Sequence, residues 1–455
     1  MSEAMQKLFE ERLARHQAAV ALEPHDRVPL VAYADYPLVY SGYSEQEITY
    51  DMDKLSNALI KFAQDFPEFD AFASYHRWGP LEDAVGFRHY RLPGRDLPPD
   101  VQFQYVEQEW MKADEYDLLI NDPVEFLMGR LLPRLFSEFE ERGSTRSYIA
   151  FLKGGMAFMM LRAQLRQLAT RLETECGMPR LYAGHTWAPF DKLAERLRSL
   201  RGIMPDIHRQ PEKVLAACEA LVPILVDNTL AEADPLRRYP IFIPLHRGCT
   251  PFLSPKQFDT FYWPSLKKEL LLLIEAGYTV RLFLEGDWTA HWHHMRELPR
   301  GKVICHIDKA DIFRAKVEIG DWVCLAGGVP DVLFILGTPD EIRARVRELC
   351  QRVGQGGGFL IDCNTPVPSL TKPENFRAFV DAVLEYGRYS DVVKPRPKSV
   401  AASPGAPHVA PPVAMVTPWE VKLRELGGIT GDEALIRTPW ENLERMAYHW
   451  LWLWT

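Results

Sequence analysis

The stretch "SPKQFDTFYWPSLKKELLLLIEAGYTVRLFLEGD", residues 254–287, decides the fold. Ser254 suits an N-cap, Pro255 the first helical position and Gly277 the stop, so one helix is predicted between them. A β-prone apolar run follows and ends on Glu285, Gly286 and Asp287. A helix feeding a buried strand that opens into a polar loop is the repeating unit of a parallel sheet covered by helices.

The same unit recurs. Before it, "RYPIFIPLHRG" reads as strand then loop. After it come the strand "KVICHID", the helix "KADIFRAKVEIG" and the strand and loop of "DWVCLAGGVP". "TPDEIRARVRELCQRVG" is a helix with Thr338 as cap and Glu341 as its capping-box partner. "GGFLIDCNTPVP" is a further strand and "PENFRAFVDAVLEYG" the last helix of the series. Gly356, Gly357 and Gly358 precede a strand, which makes them a tight turn rather than a phosphate loop. Upstream, "VPLVAYADYPLVY" enters a strand, Ser44 and Glu47 open a helix, "DAFASYHRW" is a short strand, and helical patterns run from Pro123 to about Thr174. The expected architecture is α/β, a (β/α)8 TIM-type barrel with N-terminal helical additions and a C-terminal aromatic-rich helical tail. No GxGxxG follows the first strand, which counts against a dinucleotide site.

The chain divides by composition into an N-terminal helix (1–24), a barrel (25–390), a Pro/Ala-rich linker (391–416) and a helical tail (417–455). In the tail, "TPWEVKLREL" and "TPWENLERMAYHWLWLW" both open on Thr-Pro-Trp-Glu. Thr417 and Thr438 are the expected caps, Pro418 and Pro439 the expected first helical residues. Trp440, Tyr448, Trp450, Trp452 and Trp454 must pack on something, either this chain or a second copy in a homodimer.

The totals exclude several classes. A net charge of −9 gives nucleic acid no general reason to bind. No uninterrupted apolar run reaches about 18 residues, so no membrane span is expected. The charged N-terminus lacks the apolar core of a secretory signal. The seven cysteines form no CxxC pair, which favours a reducing cytoplasm over a disulfide framework. A small-molecule substrate or a protein partner is expected instead.

Candidate chemistry clusters at predicted strand ends. Glu285 and Asp287 flank Gly286, and mutual repulsion would raise one of the two carboxyls, leaving a proton donor beside a carboxylate. His246 ends a strand just before Arg247 and Gly248. His306 and Asp308 share one strand face. Asp362 and Cys363 end the last strand, and Tyr75, His76 and Arg77 form an aromatic and basic group suited to a substrate pocket. Glu285, Asp287 and His246 are the expected catalytic groups. Tyr75, His76, Arg77, Arg247, His306, Asp308, Asp362 and Cys363 are the expected substrate contacts. His291, His293 and His294 lack the i, i+4 spacing of HExxH and are expected to be exposed helix histidines rather than a metal cluster.

"FLSPKQFDTFYWPSLKKEL…GYTVRLFLEGD", "GGVPDVLFILGTPDEIRARV" and "GGGFLIDCNTPVP…KPENFRAFVDAV" together resemble the uroporphyrinogen decarboxylase superfamily. "DRVPLV" and "MKADEYDLLINDP" resemble its branch of corrinoid-dependent methyltransferases. The resemblance spans roughly residues 25–390. It implies a barrel with its site at the C-terminal strand ends, and methyl transfer between a small substrate and a corrinoid protein. A lyase or decarboxylase acting on a small acid or tetrapyrrole, and a non-catalytic binding barrel, are the alternatives. Several family positions are changed. The arginine-bearing N-terminal signature is replaced by "VAYADYPLVYSGYS", and Tyr75, His76 and Arg77 stand where the decarboxylases place a catalytic Asp. The zinc-dependent methyltransferases carry His-x-Cys where Phe283, Leu284 and Glu285 stand, and a further Cys where Thr365 stands, so a zinc site is not expected in the usual form.

Overall fold

The computed structural model describes residues 1–389 and 417–453. The predicted linker 391–416 and Trp454 lie outside the described residues. Nine strands are present among them: β1 (Val31–Tyr33), β2 (Ala71–Ala73), β3 (Tyr90–Arg91), β4 (Gln104–Tyr105), β5 (Ile241–Leu245), β6 (Val280–Leu284), β7 (Val303–Ile307), β8 (Cys324–Val329) and β9 (Phe359–Cys363). β5 to β9 form one parallel sheet in chain order. Its strands are buried on both faces, as apolar runs without alternation require. β1 and β2 pair in parallel, and β3 and β4 form a small antiparallel pair outside the sheet.

Backbone contacts extend the sheet past both edges. Ile361 donates to the Pro29 carbonyl and Val367 to the Tyr33 carbonyl, joining β9 to β1. Leu181 donates to Phe72, and Phe242 and Thr186 bond the segment 184–186 to β5. An irregular stave over residues 180–186 thus lies between β2 and β5. Its neighbour is the inner layer, whose apolar members include Val31, Ala71, Leu181, Phe242, Phe283, Ile304 and Leu360.

The N-terminal helix Glu3–Val20 lies across the bottom of this layer, where Ala19 and Val20 join it. Arg12 donates to the carbonyls of Cys176 and Gly177 at 2.8 and 2.7 Å, capping the 32-residue helix Thr145–Cys176. The helices opened by Ser44 and Thr338 carry the expected capping boxes, and the expected cap Ser254 forms one as well, with Gln257. By length and composition alone the helix Pro211–Glu232 is apolar enough to cross a membrane, but more than half of its most apolar window is buried inside the protein. Glu219 and Asp227 interrupt its apolar run while the mean hydropathy stays high, and it packs on the barrel and the tail.

The tail departs from its expected caps. A helix runs through Glu433–Leu453 with Pro439 inside it, so Thr438 is not a cap. The other helix begins at Trp419 with Pro418 before it and no side-chain cap. Tertiary packing overrides the local Thr-Pro signal. Trp450 lies against Gly154, where any side chain would meet its ring at 2.4 Å, and His449 bonds Glu232 at 3.1 Å. The described aromatic residues of the tail therefore pack on this same chain.

Candidate active site at the strand tips

Two charges of one helical turn organise the site. Pro189 opens a helical segment over residues 189–197 in which Asp191 and Glu195 stand four apart and face the tip of β5. Asp191 accepts from the backbone N–H of His246 and of Arg247, each at 2.9 Å, and from the Tyr262 hydroxyl at 2.7 Å. These bonds fix the strand end. Glu195 takes the His246 side chain, with Nδ1 at 2.9 and 3.0 Å from its two oxygens, and pairs with Arg247 at 3.0 Å. The other ring nitrogen, Nε2, lies 3.4 Å from Glu285.

The electrostatics follow from this arrangement. Burial disfavours a charged His246, but the Glu195 hydrogen bond and charge, with Asp191 and Glu285 behind them, raise it to about 9. Burial opposes the Glu195 charge, yet His246 and Arg247 hold its carboxyl below the usual range. Burial and the nearby Glu195 push Asp191 up to about 6. At neutral pH, His246 is therefore an imidazolium locked by a carboxylate, with one N–H presented beside Glu285.

That N–H opens onto a cavity of about 460 Å³, a volume suited to a small ligand. Tyr33, Tyr182, Trp187, Phe242 and Phe283 form its apolar wall, and His246, Glu285, Asp308 and Lys309 supply polar groups. The Glu285 side chain is 57% exposed and Lys309 66%, so the rim is open to water on their side. A second chamber of about 290 Å³ adjoins the first through Tyr75, Tyr182, His185 and Trp187.

The expected residues fall into three groups. His246, Glu285, Asp308 and Tyr75 line the cavity, while His76 and Arg77 line the second chamber and Arg247 backs the Glu195 pair. Gly286 is required between the two acids because its φ is 93° and a Cβ there would meet Cys249 Sγ at 2.7 Å. Asp308 accepts from the Gly286 N–H at 2.8 Å, and burial raises its pKa.

Four expectations are corrected. Asp287 is exposed and accepts from the Thr289 N–H at 2.9 Å, and bonds from Thr289 lower its pKa, so it caps its own loop and gains no proton from Glu285. His306 and Asp362 share a face with the inner layer but have no exposure, and both bond Arg281, at 2.8 and 3.0 Å. They form a buried polar knot below the cavity. Cys363 points outward into the packing between sheet and helices, because odd and even positions of β9 face opposite sides. His291 and His294 are buried rather than exposed: His291 stacks on Phe258 at 3.8 Å, and His294 bonds Glu297 at 2.7 Å and Asp259 at 2.9 Å.

Sequence reasoning missed Glu195, Asp191, Trp187, Tyr182 and His185. In "APFDKLAERL" the fold buries Asp191, Lys192, Glu195 and Arg196, but in sequence these charges have the spacing of a solvated helical face. Among the described residues no group of three or more His, Cys, Asp and Glu side chains is placed to hold a metal ion. His246 is committed to Glu195 and Cys363 faces away, so the residues present do not fit a zinc centre of the usual three ligands.

Comparison with known proteins agrees with this fold. Residues 165–386, which include β5 to β9, match the family model described as uroporphyrinogen decarboxylase. The uroporphyrinogen decarboxylase of Methylococcus capsulatus is 34% identical over 76 residues, 17% of this chain and 21% of that one. That of Hydrogenovibrio crunogenus is 36% identical over 76 residues, with 16% and 21% covered. The chain thus matches about a fifth of the length of these curated relatives. A methyltransferase from Methanosarcina mazei has a similar fold, with a TM-score of 0.56 at 17% identity over 82% of this chain and 98% of that one.

Proposed function

We propose that this chain, related to the uroporphyrinogen decarboxylase superfamily through residues 165–386, is a small-molecule enzyme that moves a methyl group from a small substrate to a corrinoid carried by a partner protein. The fold read here is the closed (β/α)8 barrel, completed by β1, β2 and the stave at 180–186. The observation that supports the reaction is the His246–Glu195 pair, a charged N–H donor held at the mouth of an aromatic cavity. A methyl group leaves a heteroatom readily only if that atom is protonated as the bond breaks. His246 Nε2–H delivers that proton, and Glu195 stabilises the ring before transfer and orients it throughout. Glu285, 3.4 Å away on the solvent side, returns a proton to His246 after product leaves. The aromatic wall excludes water around the reacting atom. The methyl acceptor enters over the open rim at Glu285 and Lys309.

The same donor would protonate the carbanion left by loss of carbon dioxide, and the matched segment of the decarboxylase relatives favours keeping that second reading. One assay separates the two. Purified protein is incubated with free cob(I)alamin and a panel of methyl ethers, methylamines and methyl thioethers together with small carboxylic acids that carry no transferable methyl group, and methylation is followed by absorbance while carbon dioxide is trapped. Methylation that is lost in His246→Gln supports the reading. Carbon dioxide release without methylation replaces it with the lyase, and neither activity across the panel removes both.

A further inference from the structure

The second chamber contains a cation with no counter-ion. Arg77 pairs with Glu82 at 2.5 Å, and Arg162 with Glu232 at 2.6 Å. Arg196, which is only 7% exposed, has no carboxylate within 4 Å among the described residues. Its Nη2 donates to the Tyr90 hydroxyl at 2.6 Å, its Nη1 lies 3.5 Å from His89 Nδ1, its guanidinium lies 4.5 Å from the Trp187 ring, and its Nε has no hydrogen-bond partner there. Its chain neighbour Glu195 is already bound to His246 and Arg247. His76 and His185 also line the chamber, and burial lowers both to about 4, so neither adds charge. A buried guanidinium without an anion is costly, and a planar group with two oxygens is its natural complement.

We propose that this chamber is a carboxylate subsite in which Arg196 seats the acid group of a planar organic acid, whose body runs between Tyr75 and Trp187 toward His246. Tyr75 and Trp187 line both chambers, so a ligand anchored at Arg196 passes them to reach the catalytic side. The chamber's volume of about 290 Å³ limits the anchored part to roughly one ring and its acid group. The apolar wall of Trp78, Phe87, Phe158 and Leu161 suits an unsaturated body rather than a sugar or phosphate. The subsite names the substrate class for the reaction site proposed above and rests on that reading for its orientation only.

The test uses benzoate and its neutral isostere benzamide, titrated calorimetrically into the intact protein at fixed ionic strength. Benzoate is expected to bind at least tenfold more tightly than benzamide. Arg196→Met, which keeps the apolar stem, abolishes that preference. His246→Gln leaves the preference in place while removing methyl transfer, so failure of the reaction scheme and failure of the subsite are read separately. If Arg196→Met does not fold, Arg196→Lys keeps the charge but loses the planar fork, and is expected to weaken benzoate at least threefold without changing benzamide. Equal affinities in the unmodified protein, no binding of either probe, a preference kept in Arg196→Met, or unchanged benzoate affinity in Arg196→Lys each overturn the proposal.

Discussion

Replacing Glu195 by Gln removes the carboxylate that holds His246 charged while leaving its shape. In the intact protein the imidazole is raised from 6.5 to about 9. At about 1.36 kcal/mol per pKa unit, that is a preference of about 3 kcal/mol for the charged ring. Without Glu195, burial is opposed only by Asp191, which is itself raised to about 6, and by the largely exposed Glu285. The His246 midpoint should fall by about two units or more. Carbon-labelled imidazole signals followed by NMR across pH 5 to 10 measure this directly. Stability shifts with it. A group whose folded pKa is raised contributes fully below its unfolded value of about 6.5, and the contribution fades as pH rises through about 9. That fading should be seen in urea melts of the intact protein and be absent from Glu195→Gln. A His246 midpoint that is the same in both proteins would refute the reasoning.

Other outcomes follow from the same structure. Glu285→Gln should lower turnover at least about tenfold yet shift stability by no more than about 0.5 kcal/mol, because the side chain is more than half exposed; paired kinetics and urea melts check both. Arg281→Met should cost about 3 to 5 kcal/mol in chemical denaturation, since it leaves the fully buried Asp362 without its charge partner. A loss below about 1 kcal/mol would show that burial, which raises Asp362 to about 7, already leaves it neutral. Trp450→Ala should cost about 3 kcal/mol and expose the terminal helix to limited proteolysis, because the ring fills the space left by Gly154. Protease resistance equal to the unmodified protein would contradict docking of the tail on the long helix.

The site was partly legible in the sequence because strand ends announce themselves. His246 and Glu285 each follow a buried five-residue strand, β5 and β6, and the parallel register of the two strands brings them together. Glu195 and Asp191 were hidden because they belong to a helical segment, where charges four apart read as a solvated face. Only the tertiary fold buries that face against β5. Asp287 and Cys363 misled for a related reason. Their neighbours in sequence reach the site, but a positive φ at Gly286 and the two-residue alternation of β9 turn these side chains elsewhere. The repeated Thr-Pro-Trp-Glu misled because a proline inside a helix is tolerated when packing of Trp450 and Tyr448 outweighs the lost N–H. The stave at 180–186 has no strand pattern at all, since its bonds are isolated bridges on either side.

The claim on which the rest depends is that His246 donates the proton at the reacting atom. Single-turnover methyl transfer to cob(I)alamin by the intact protein and by His246→Asn, with substrate affinity measured in parallel, tests it most directly. The expected result is a loss in rate of about a hundredfold or more with affinity nearly unchanged. Equal rates in the two proteins would contradict it.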